Sequence, residues 1–98
     1  MPLDNEDRAY LEETIDRTVG EVPNLVTMAR VEDYQKHGQY KEADDFVLGF
    51  ATGIIYGRFI EYFVARHQRQ SSEDELDEAN RVILRRMREI KEAIFKCG

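Results

Sequence analysis

Apolar residues recur along this 98-residue chain with helical spacing almost throughout. Leu11, Ile15 and Val19 stand four apart, on one side of a helix. The pattern predicts a first helix from about Asn5 to Val19, capped by Asp4 and stopped at Gly20, with "GEVPN" as a loop. A looser apolar set (Leu25, Met28, Ala29, Val31, Tyr34) predicts a second helix from about Leu25 to His37. Asn24 would cap it, and Gly38 would end it.

A third helix is expected from near Tyr40 to about Arg69. Between Phe46 and Val64 its apolar residues occupy nearly every face, the mark of a helix surrounded by neighbours. The fourth segment reads "SSEDELDEANRVILRRMREIKEAIF". Ser72 and Glu75 form an S-x-x-E capping box, and acids precede bases as the helix dipole prefers. Leu76, Ile83 and Ile90 repeat every seventh residue, with Asn80, Met87 and Ile94 interleaved, giving a coiled-coil-like seam. No segment reads as a strand. The expectation is one all-α, four-helix bundle-like domain over residues 1–98, with a long central third helix and a heptad-patterned fourth.

Composition narrows the function. Apolar residues at 42% and charged residues at 35% describe a folded chain, and only two prolines favour long helices. A net charge of −6 argues against nucleic-acid binding by the whole surface. Residues 1–49 hold twelve acids and five bases, whereas residues 50–98 hold eight acids and nine bases. Such opposed halves can attract within a chain or between subunits. The lone Cys97 excludes an internal disulfide and a cysteine-rich zinc site. "MPLDNEDRAY" lacks the features of a signal peptide. The uncharged run from Phe46 to Gly57 is shorter than the ~20 residues that cross a bilayer. A cytoplasmic location away from membranes is therefore expected.

Within that run, Gly49, Gly53 and Gly57 recur every fourth residue. Three helical glycines cost about 3 kcal/mol relative to alanine, a large part of a domain's roughly 5–15 kcal/mol. Bare positions on one side allow close approach of another backbone. Either side chains of the first, second or fourth helix fill this groove, or a second copy of the third helix crosses it. A third helix of about 45 Å would also overhang a globule roughly 33 Å wide. A homodimer is the expected assembly, with Gly49, Gly53, Gly57, Asn80, Ile83, Met87 and Ile90 at the interface. Asn80, on the seam, would either fix register through a partner asparagine or face water. Another protein is the alternative partner.

Chemistry has several candidates. Glu12, Glu13 and Asp16, followed by Glu42 and Asp45, form a series that resembles the E-E-x-x-E … E-x-x-D pattern of MazG-like all-α nucleoside triphosphate pyrophosphatases. The resemblance implies two facing helices holding magnesium through these acids. Asp16 replaces the third glutamate, and the "GEVPN" turn plus a whole helix depart from the pattern. The "YQKHGQYKEADDF" joint is similar to that of a tetratricopeptide repeat through Tyr34, Gly38, Tyr40 and Ala43. Val47 and Phe50 break that pattern.

Arg58 and Glu61 interrupt the apolar segment and are expected to pair with each other or across subunits. His37 and His67 lie near helix ends with no second ligand at metal spacing. Cys97 has no identifiable base. Arg81, Arg85, Arg86 and Arg88, with Lys91, make one flank of the fourth helix basic, which offers either a nucleic-acid contact or a solvated, self-paired surface. The function expected is a small interaction and assembly module, without a resident cofactor. Magnesium pyrophosphatase and nucleic-acid accessory are the alternatives.

Overall fold

A computed structural model describes residues 2–98. Those residues form four helices and no strand: α1 (Asn5–Ala29), α2 (Glu32–Gly38), α3 (Ala43–His67) and α4 (Glu73–Lys96). The protein is an all-α, bundle-like fold, as the periodicity predicts. Three long helices build the bundle, and α2 is a seven-residue connector with no buried residue.

The largest departure lies in α1, which runs straight through "GEVPN". Gly20 is no stop, Asn24 is no cap, and Pro23 lies inside the helix. Proline in a helix interior costs about 3 kcal/mol and glycine about 1 kcal/mol. Against this, the buried stripe Leu11, Ile15, Thr18 continues unbroken through Val22, Val26 and Ala29. Fully burying each valine contributes about 1.5–3 kcal/mol, so the stripe offsets the two breakers. Pro23 points its ring to solvent and Gly20 is exposed. The expected second helix is thus mostly the end of the first.

After α2 the chain turns at Gln39, in the left-handed region at φ 55°. Tyr40 folds back here. Its hydroxyl donates to the Ala29 carbonyl and its ring stacks on Phe46 at 4.2 Å. A Cβ on Gly38 would stand 2.8 Å from that ring, so this glycine is set by close approach. The likeness to a tetratricopeptide joint ends here, because α2 has no buried face to pair with α3.

Val47, Ala51, Ile55, Phe59 and Phe63 form a strict i, i+4 row on α3 and are fully buried. The row faces α1, which lies antiparallel: Tyr10 stacks on Tyr62 with centroids 3.8 Å apart. The expected pairing of Arg58 with Glu61 does not form. Arg58 instead reaches across to Glu21 on α1 at 2.9 Å, and Glu61 is exposed. That guanidinium holds the Glu21 carboxyl below its usual range. With α1 packing against every other helix, α1 and not α3 is the central element. In an arrangement of three long helices each has two flanking neighbours, so α3 keeps an open side.

On α4 the capping box is present in both directions: the Glu75 amide donates to Ser72 Oγ, and the Ser72 amide donates to Glu75 Oε1. Ala79, Val82, Ile83, Ile90 and Ile94 complete the core. The molecule measures 41 × 25 × 17 Å. At 25 residues α3 is about 37 Å long, so it does not overhang. The expected overhang assumed a sphere, and three rods packed side by side do not make one.

Candidate functional site

On α3 the glycines lie two residues out of phase with the buried row, which puts them on the opposite side. Gly49, Gly53 and Gly57 are all exposed, and a Cβ at any of them would meet nothing within 4 Å. No side chain of another helix fills this stripe, so the intrasubunit explanation is overturned. The flanking apolar residues Phe46, Tyr56, Ile60 and Val64 are only half-buried, and Phe50 is 40% exposed.

Beside the stripe, α3 and α4 leave a groove of about 420 Å³ lined by Thr52, Gly53, Tyr56, Asn80, Ile83, Leu84 and Met87. Four residues expected at an interface therefore share one surface feature: Gly53, Asn80, Ile83 and Met87. Asn80 is exposed at its edge, free to meet water or a partner. Ile90 is different. It is 1% exposed in the protomer's own core and has no surface to offer, because the seam turns inward where α4 packs on α1 and α3. Leu84, which lies off the heptad seam, is 64% exposed and forms the rim.

The carboxylates do not converge. Antiparallel packing sets Arg58 beside Glu21, and Asp45 lies thirteen residues further toward the other end of α3. At 1.5 Å per residue, Asp16 and Asp45 are about 25 Å apart along the bundle. Arg86 occupies the α1 acids. It contacts Glu12 at 3.0 Å and also pairs with Asp16 and Glu89, while Glu13 points to solvent. Glu42 and Asp45 line a separate groove with Asp44, Leu48, Lys91, Ile94 and Phe95. The two-helix magnesium arrangement implied by the MazG likeness is thus not formed.

The basic flank also divides. Arg86 turns toward α1, where hydrogen bonds to Glu89, then to Asp16 and Glu12, raise its pKa. It is an interhelical clasp and not part of an outward row. Arg81, Arg85 and Arg88 remain exposed. Arg81 and Arg85 donate only to backbone carbonyls, and Arg88 lies 3.7 Å from Glu92.

Sequence reasoning missed a polar clasp at the other end of the bundle. Asp7 is 1% exposed, and its carboxylate meets Arg66 Nη1 at 2.6 Å and His67 Nε2 at 2.9 Å. Arg66 also reaches Asp4 at 2.8 Å and Glu6 at 2.6 Å. Asp4, Asp7 and His67 are, among the described residues, the one set of metal-ligating groups within mutual reach. A guanidinium already stands between the two carboxylates, so the set is a salt-bridged joint between α1 and α3. Nothing in the spacing of a first-turn aspartate and a last-turn histidine announces it. His37, exposed on α2, and Cys97, whose thiol donates to the Ala93 carbonyl, take no part in any such cluster.

No family model, curated protein or solved structure matches the chain. The functional reading therefore rests on the open α3–α4 face. By length and composition alone, α3 is also apolar enough to cross a membrane.

Proposed function

We propose that the protein is a small helical assembly module that self-associates through the open side of α3 and the adjoining groove of α4. One observation supports this reading above the others. The three glycines lie on the solvent side of the most apolar helix, beside a groove rimmed by exposed Leu84 and half-buried Met87. In a lone protomer these glycines weaken α3 and nothing is gained from their bareness. Against a second helix they permit close backbone approach and added dispersion contact. A contiguous apolar face of this kind marks a contact surface in a soluble protein.

Sedimentation equilibrium tests the reading. The wild-type chain is expected to show a concentration-dependent mass approaching twice 11.5 kDa. Gly53→Leu is expected to remain monomeric with unchanged helix content, because the added side chain meets open space within the protomer. A wild-type chain that stays at the protomer mass at every soluble concentration would end the proposal.

A further inference from the structure

The two ends of the bundle use their charges differently. Where α1 begins, Arg66 holds Asp4, Glu6 and Asp7, and Arg69 holds Glu75. At the opposite end, the start of α3 carries Glu42, Asp44 and Asp45. None of these three makes an ion pair among the described residues. Exposed apolar side chains gather at this same end. Phe95, in the last turn of α4, is 77% exposed, and Val31, Tyr34 and Phe50 are exposed as well.

A groove of about 500 Å³ between the start of α3 and the end of α4 brings the two features together. Its apolar lining is half-buried Leu48 on α3, with buried Ile94 and exposed Phe95 on α4. The three carboxylates border it from the α3 side and Lys91 from the α4 side. The helix dipole favours acids at Asp44 and Asp45, but it does not account for an aromatic ring left in water beside them. This groove shares no lining residue with the one at Gly53.

We propose that this groove docks a basic amphipathic helix carried by another protein. Two neighbouring rods leave between them a place for a further rod, and a helix laid in such a groove is a recurring mode of recognition. An apolar side chain of the partner helix packs on Phe95 and Leu48. Lysines or arginines three and four positions away reach Glu42, Asp44 and Asp45. Lys91 repels a cation from the other wall, so the partner's basic residues are accepted on the α3 side only. An anionic lipid surface or a nucleic acid would meet like charge at those carboxylates. This docking does not rest on the self-association reading.

A short, capped and fluorescently labelled helix of leucine and lysine, with leucine on one face, is the probe. The same peptide with glutamate for every lysine is its control. Anisotropy is expected to show saturable binding of the lysine peptide and none of the glutamate peptide. Phe95→Ala is expected to weaken binding about tenfold, and Asp44→Asn combined with Asp45→Asn by a similar factor. All three residues are exposed, so circular dichroism is expected to be unchanged. Glu13→Gln combined with Glu73→Gln removes the same charge from exposed sites elsewhere and is expected to leave the affinity as it was. Equal loss from the two double variants would reduce the binding to overall charge and overturn the proposal. Absence of binding, or binding untouched by Phe95→Ala, would overturn it as well. A wild-type dimer that Phe95→Ala dissociates in sedimentation would give the groove to a second copy instead. Phe95-dependent binding of phosphatidylcholine vesicles without peptide binding would give it to lipid, and either result sinks the docking of a basic helix.

Discussion

Glu75 carries two jobs on one carboxylate. Arg69 donates to both of its oxygens, at 2.8 and 2.9 Å, and the Ser72 amide donates to one of them. Hydrogen bonding by Arg69 first, and by Ser72 after it, lowers its pKa from 4.5 to about 2. A carboxyl depressed on folding stabilises the protein fully above its unfolded pKa, and the contribution fades as pH falls from about 4.5 to about 2. Glu75→Gln should therefore lower the melting temperature at neutral pH and flatten its fall across that window, read by circular dichroism. Thr14 makes the opposite case. Its hydroxyl is fully buried without a hydrogen-bond partner. Thr14→Val removes an unsatisfied group while keeping the shape, and should stabilise the fold by about 1 kcal/mol in urea titration. The capping box was legible from Ser72 and Glu75, because it is local. Glu75's pairing with Arg69 was not, because the turn between α3 and α4 sets it.

Between helices, glycine has two meanings in this chain. Gly20 and Gly53 are both helical, exposed and free of neighbours. Gly20→Ala should raise protomer stability by about 0.5–1 kcal/mol without touching association. Gly53→Ala should raise protomer stability by a similar amount, yet loosen the dimer, since a methyl then stands in the proposed contact. A thermal melt at low concentration beside sedimentation at high concentration separates the two effects. Pro23→Ala should add about 1–3 kcal/mol by restoring the missing amide inside α1. No gain from Pro23→Ala would show that α1 bends there to meet its neighbours. The local signals of "GEVPN" all favoured a loop. They lost to the burial of Val22, Val26 and Ala29, which depends on partners far along the chain.

For the whole molecule, the unequal charge of the two halves is largely spent internally. Arg86 ties α4 to Glu12 and Asp16, Arg58 ties α3 to Glu21, and Arg66 ties α3 to Asp4, Glu6 and Asp7. Most of these ion pairs are partly exposed to solvent. The melting temperature should therefore fall modestly as salt rises past about 0.15 M, since exposed ion pairs are screened while apolar burial persists, read by circular dichroism. A melting temperature that does not change with salt would show that these clasps add little to apolar burial.

The sequence by itself determined the all-α class, the start of α1 at Asp4, the capping box of α4 and the apolar identity of α3. Each follows from residues within a few positions of one another, whose spacing matches the helical repeat. Tertiary structure decided where α1 ends, which arginines are occupied, and that Ile90 lies inside while Leu84 lies outside. It also decided that the glycine stripe faces away from the bundle. These outcomes turn on which face of each rod meets a neighbour. Periodicity gives a helix its faces; only the packing of three long helices determines which of them is left open.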